Sequence, residues 1–137
     1  MDMFGVFSIS ASALEAQRTR MNVIASNMAN VHTTKTQEGG PYKRQNVVFR
    51  TLPMEKDPAT PFQGVMASEI VKDQGQPMLV YEPGNPDANA NGYVEMPNIN
   101  VVEEMVDMMT ASRAYEANVS VFNASKGMFT RTLDIGR

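Results

Sequence analysis

Few residues in this 137-residue chain are equipped for chemistry. There is one histidine, His32, and no cysteine. Thiolate zinc sites, iron–sulfur clusters, disulfide frameworks and cysteine nucleophiles are therefore excluded, and a His-based metal site or a Ser-His-Asp triad would rest on one imidazole. His32 stands beside Thr33 and Thr34, ahead of a Gly39-Gly40-Pro41 turn. A solvated loop residue, or a cation near a helix C-terminus, accounts for it better than a general base does. Glu103, Glu104 and Asp107 could be imagined holding a cation, but they stand where a helix opens, and acids there offset the positive end of the helix dipole. Asp87-Ala88-Asn89-Ala90-Asn91-Gly92 has the opening of a calcium loop. The bidentate acid such a loop needs falls on Asn98, with Pro97 before it, so the motif is rejected. Met105, Met108 and Met109 could offer thioethers to a soft metal, yet with no cysteine or helical histidine beside them packing is the better account. No Gly-rich phosphate loop, G-x-S-x-G or H-E-x-x-H occurs. No catalytic, cofactor-binding or metal-binding residue is assigned, and the chain reads as a non-enzyme.

Composition narrows the classes further. Apolar residues make up 42% and charged residues 20%, enough for a packed core and against wholesale disorder. Twelve basic residues against fifteen acidic ones give a net charge of −3, which speaks against binding nucleic acid by displacing counterions. The twelve methionines suit either a core or an apolar face that packs against several partners. Mean hydropathy is −0.30, and no run approaches the roughly 18 apolar residues of a membrane span. The opening residues carry no base before Arg18 and are broken by Ser8, Ser10 and Ser12, unlike a Sec-type signal peptide. Composition alone thus predicts a soluble chain, cytoplasmic unless exported by an unconventional route.

Three zones must position these residues: 1–35, 36–98 and 99–137. In the first, a helix is predicted over 9–31. Leu14, Met21 and Met28 recur every seven residues, Ile24 and Val31 follow at an offset of three, and Gln17 is the one polar entry. Ser12 with Glu15 has capping-box spacing, and Ser8 or Ser10 would serve equally. The middle zone holds all eight prolines. Strands are predicted over 42–50, 64–71 and 78–81, followed by a turn-rich link over 83–92. In the third zone Asn100 reads as an N-cap. Val101, Met108, Tyr115, Phe122 and Phe129 recur every seven residues, and Met105, Ser112, Val119, Lys126 and Leu133 interleave at spacings of four and three.

The predicted fold is mainly α with a small β-containing middle region, its long N- and C-terminal helices pairing as an antiparallel coiled coil. Ala13, Ala16 and Val23 on one helix, and Val102, Val106, Met109 and Val121 on the other, lie off these seams. A monomer has no further helices to cover them, so association with other chains is expected. Asn27 and Asn30, in the run Ala25-Ser26-Asn27-Met28-Ala29-Asn30, admit two readings. They could cap and fray the helix end, or they could fix register in a close-packed interface.

That run resembles the ASNxAN motif of the rod and hook axial proteins of the bacterial flagellum. Ser112-Arg113-Ala114-Tyr115-Glu116-Ala117-Asn118 is similar to the C-terminal SRxYxAN motif of the same family. Gly40-Pro41-Tyr42-Lys43-Arg44, Val47-Val48-Phe49 and the stretch from Tyr81 through Tyr93-Val94 and Met96-Pro97-Asn98 fit it as well. The resemblance implies a structural subunit that polymerises into the periplasmic rod of the flagellar basal body. Its terminal helices would form an inner coiled coil around an export channel and transmit torque. It implies as partners other copies of the chain, other rod proteins, membrane-ring and rod-base adaptor proteins, the surrounding periplasmic ring and the type III export apparatus. Export would need no cleaved signal peptide, and neither nucleic acid nor a cofactor is implied. The implied assembly interface comprises Leu14, Met21, Ile24, Ala25, Asn27, Met28 and Asn30 on the first helix. On the second it comprises Val101, Met105, Met108, Tyr115, Asn118, Val119, Phe122, Phe129 and Leu133. The other reading is a cytoplasmic helical adaptor or export chaperone with a Met-rich binding surface.

Overall fold

A computed structural model describes residues 3–53 and 63–136; Met1-Asp2, at the end read above for a signal peptide, lies outside them. The elements run α1 (Met3–Ala29), β1 (Gln45–Pro53), β2 (Gln63–Lys72), β3 (Met78–Tyr81), β4 (Tyr93–Met96) and α2 (Val101–Ile135). This is the mainly α architecture with a small β middle that the periodicity predicts. At 1.5 Å per residue the helices are about 40 and 52 Å long. Three pairings place them antiparallel: Asn27 with Glu104, Arg20 with Asp107, and Phe7 with Phe122, whose rings meet edge-on at 5.0 Å.

The helix ends differ from expectation in one respect. α1 begins at Met3 and not near Ile9, so Ser8, Ser10 and Ser12 are helical and none is an N-cap. Ser12 has another use. Its hydroxyl donates to Ile9 O at 2.7 Å and accepts from the Val65 N–H of β2 at 3.2 Å, tying sheet to helix. Asn100 does cap α2, its side-chain oxygen accepting from Val102 N at 3.0 Å.

The interhelical seam is half as predicted. Met108, Tyr115, Phe122 and Phe129 are partly buried, as their seven-residue series requires. Their companions, however, are Glu104, Ala111, Asn118 and Ser125, one residue earlier than the series drawn from hydrophobicity. Glu104, Ala111 and Ser125 are buried, whereas Val101, Met105, Lys126 and Leu133 are exposed in the chain. Small side chains let helix backbones approach closely, and a reading that follows large apolar residues passes over Ala, Ser and Asn at such positions. On α1 the buried residues are Ser10, Ala16, Val23, Ile24 and Asn27, with Leu14, Gln17, Met21 and Met28 partly covered. Ala16 and Val23 thus find their cover within the chain. The β1–β2 hairpin packs along α1 and supplies the neighbour that the helices alone could not. Val102, Val106, Met109 and Val121 of α2 stay exposed.

The strands form two separate antiparallel pairs. β1 pairs with β2 from Gln45 opposite Lys72 to Pro53 opposite Gln63. Ser68 is the extra residue of β2 opposite the step from Val48 to Phe49, and its hydroxyl donates to Val48 O at 3.1 Å. β3 pairs with β4, a strand the sequence reading does not contain. Its four residues are too short for a periodic signal, and pairing with β3 is what extends them. At the turn, Gly92 takes φ 79°, and a Cβ there would lie 2.9 Å from Tyr81 Cε2. Tyr81 and Tyr93 then stack edge-on at 5.2 Å across the pair.

The seam assignment has a direct test. Ala111 is wholly buried. Ala111→Leu should destabilise the chain by about 1–3 kcal/mol through overpacking. Met105→Ala should fall within about 0.5 kcal/mol of the parent. Urea unfolding followed by circular dichroism distinguishes this seam from the apolar one, which reverses the two effects.

Candidate functional site: a polar junction where the helices meet

The most constrained group of side chains lies where α1 ends and α2 begins. Asn27, 1% exposed, uses all of its hydrogen-bonding capacity. Its Nδ2 donates to Gln45 O at 2.9 Å and to Glu104 Oε2 at 3.0 Å. Its Oδ1 accepts from Gln45 N at 2.9 Å and from the Tyr42 hydroxyl at 3.1 Å. One side-chain amide therefore binds the first residue of β1 as a neighbouring strand would, and also grips the first turn of α2. Glu104, also 1% exposed, completes the junction by accepting from Arg44 Nε at 2.5 Å. Arg44 reaches on to Asp107 at 3.5 Å, and Asp107 pairs with Arg20 of α1 at the same distance. Two guanidinium groups thus balance two carboxylates.

Local sequence explains how these groups converge. Asn30 stops α1 through its side chain, whose Nδ2 donates to Ser26 O at 2.9 Å. It does so without left-handed backbone, since no non-glycine among the described residues has positive φ. Thr33 then caps Asn30 through both its N–H and its hydroxyl. Gly39 and Gly40, at φ 85° and 76°, reverse the chain, and Tyr42 N donates back to Thr33 O at 3.0 Å. Tyr42, Arg44 and Gln45 are delivered to Asn27 in consecutive steps. This is why β1 starts at Gln45 and not at Tyr42: the residues before it are spent on the helices.

Charge state follows from the geometry. Hydrogen bonding to Glu104 raises the Arg44 guanidinium above its ordinary value, burial opposes this, and the charges of Glu104, Asp107 and Glu103 reinforce it. A raised value keeps the cation at every working pH, so this contribution would fade only in strong alkali. The Arg20–Asp107 pair, with both side chains over a third or nearly a third exposed, adds little by comparison. A smaller tie lies at Asp87. It accepts from the Thr34 hydroxyl at 2.7 Å and pairs with Lys35, which pins the segment after α1 to the β3–β4 turn. Those two partners, Lys35 first, hold the Asp87 carboxyl below the usual aspartate range. The rejected calcium loop thus has its leading acid committed elsewhere.

The arrangement is a joint and offers no reaction centre. Glu104 and Asp107 are both paired with guanidinium groups, His32 is exposed in the turn after α1, and no cluster of metal-ligating side chains occurs among the described residues. No helix among them is long and apolar enough to cross a membrane. Of the residues singled out from sequence, Asn27 and Ile24 are buried, Asn30 caps, and Ala25 is exposed. Asn118 donates to Ala114 O at 2.9 Å, within its own helix and two heptads along α2 from Glu104, so the two Asn motifs do not meet. From sequence Glu104 reads only as a helix-opening acid, and Arg44 and Tyr42 only as part of a family motif. The available signal was position: Glu104 heads the seven-residue series Glu104, Ala111, Asn118, Ser125.

Comparisons with known proteins fit this joint. A family model described as flagella basal body rod protein matches residues 7–35, and one described as the C-terminal region of flagellar basal body rod FlgEFG proteins matches residues 90–135. The two matches cover the two helices and the polar motif at the end of α1. Paired terminal helices carrying these matches define a structural subunit of the flagellar basal-body rod. Flagellar basal-body rod protein FlgC of Salmonella typhimurium is 45% identical over all of both chains. The FlgC proteins of Borreliella burgdorferi, at 45% over 98% of each chain, and of Bacillus subtilis, at 41% over all of both, are similar in kind. The chain belongs to the FlgC family of flagellar basal-body rod proteins. The adaptor or chaperone reading has no support.

Two outcomes follow from the junction. Arg44→Met leaves the buried Glu104 carboxylate without its cation and should cost about 3–5 kcal/mol at pH 7, measured by urea unfolding. The Asp87 tie, whose carboxyl value is depressed on folding, contributes above the ordinary aspartate range and is lost as pH falls through the depressed value. Amide exchange in residues 33–36, 85, 87 and 88, corrected for intrinsic rate, should therefore be unchanged from pH 7 to 5 and accelerate on further acidification in the parent but not in Asp87→Asn.

Proposed function

We propose that the chain polymerises through its terminal helices into a rod that acts as the driveshaft of the flagellum, transmitting torque and enclosing an export channel. The observation that carries this reading is the apolar surface of α2. Val102, Met105, Val106 and Met109 are at least half exposed on its first turns, and Val121 and Met128 are likewise exposed farther along, beyond Arg113 and Glu116. The intrachain seam leaves this face uncovered, and contiguous apolar surface of this kind marks a protein interface. The sequence-derived interface residues Val101, Met105 and Leu133, exposed in the chain, serve subunit contacts in this reading. Met108, Tyr115 and Phe122 serve the intrachain pair.

In this reading residues 1–35 and 99–137 form the inner tube and residues 36–98 its outer wall. Helices of about 40 and 52 Å packed along a common axis would give the stiffness a torque-bearing tube needs. Its partners are other copies of the chain, other rod proteins, the membrane-ring and rod-base adaptor proteins, the surrounding periplasmic ring and the type III export apparatus. The chain would work in the periplasm without losing a cleaved signal peptide, and it would carry out no catalysis.

Val106→Glu with Met109→Glu tests the reading. The variant should melt within a few degrees of the parent, because both side chains are exposed. It should be absent from purified hook–basal bodies and should abolish swimming in soft agar. Motile cells with normal rods would overturn the assignment of this face.

A further inference from the structure

The seam between α1 and α2 repeats in a way that leaves its register open. Phe7, Leu14, Met21 and Met28 recur every seven residues on α1, and the Met108-to-Phe129 series recurs every seven on α2. Sliding α2 by one heptad, about 10 Å, puts Tyr115 where Met108 stood and Phe122 where Tyr115 stood. Met108, Tyr115 and Phe122 are each replaced by another large apolar side chain, and only the place of Phe129, at the helix end, passes to Gly136. Flexible methionines adapt readily to such exchanges, so the apolar part of the seam distinguishes poorly between registers.

The polar junction does not repeat. Seven residues after Glu104 stands Ala111, and seven before it stands Pro97, outside the helix. Asn27 holds Arg44 in place through the two bonds to adjacent Gln45, so the guanidinium travels with α1. A Glu104 displaced in either direction leaves behind both Asn27 Nδ2 and Arg44 Nε, and a buried carboxylate so stranded is strongly disfavoured. We infer that the Asn27–Glu104–Arg44 junction is a register lock, which selects one of several apolar-equivalent alignments of the two helices. The role matches what a single polar residue does in a coiled coil, where it specifies alignment at some expense of stability. The inference concerns the single chain and stands whether or not the rod is built through the α2 face.

The chain has no cysteine, so spin labels can be placed cleanly. Labels on Ser8→Cys and Thr110→Cys, both exposed and on opposite helices, report the axial offset by pulsed dipolar spectroscopy of the full chain. The parent should give one narrow distance. Glu104→Leu should keep its helical circular dichroism and add a second population, displaced by about 10 Å along the axis. A single unchanged distance in Glu104→Leu overturns the lock. Met108→Ala with Tyr115→Ala supplies an independent arm, because it weakens the apolar series and spares the junction. It should hold the parental distance in whatever fraction remains helical, and slipped populations there would show that apolar packing sets the register instead.

Discussion

A buried side-chain amide with four partners holds this molecule together. Asn27 bonds the backbone of Gln45 on both sides and so fixes where the β1–β2 hairpin leaves the helices. It also binds Glu104 and Tyr42, and so fixes where α2 begins and where the intervening loop returns. Each of these bonds would be worth only about 1 kcal/mol net in isolation. Their weight comes from sharing: removing the amide takes a partner at once from a carboxylate, a hydroxyl and two backbone groups. The middle region can hang from the helix pair at a defined place because one residue addresses both.

The rest of the structure follows from how that junction divides the two helices. Near it the seam is polar and specific; away from it the seam is Met, Leu, Tyr and Phe against small side chains. α1 is covered on two sides, by α2 and by the β1–β2 hairpin, and little of its apolar surface is left for other molecules. α2 is covered on one side only. In the proposed rod this asymmetry would turn α2 toward neighbouring subunits, while within the chain α1 is the element against which both other parts are set.

The chemistry of the junction also explains why so many polar groups can be tolerated in a small interior. Every atom of Asn27 capable of hydrogen bonding is used, Glu104 has a donor on each oxygen, and the two guanidinium groups match the two carboxylates. Such a network is acceptable when complete and destabilising when broken. It therefore penalises misalignment more than it rewards folding.

The sequence by itself determined the two terminal helices, the Asn100 cap, the β-containing middle and the family resemblance. These rest on local or periodic signals: seven-residue spacing, prolines confined to one zone, and motifs legible residue by residue. The antiparallel pairing was legible too, since two apolar stripes joined by a short middle region have few other ways to be buried. Tertiary structure decided the rest. It placed Glu104, Ala111 and Ser125 inside the seam and left Met105 and Leu133 outside it, because the face of α2 turned to α1 is set by the polar junction and by small side chains as well as by large apolar ones. It extended β4 through pairing with β3, and it turned Ser12, which resembled a cap, into a helix–sheet tie. Most of all, it made Glu104 a buried partner of Asn27 and Arg44. A glutamate in the first turn of a helix already has a sufficient local explanation in the dipole, and only the arrival of residues sixty and seventy-seven positions away in the chain gives it another.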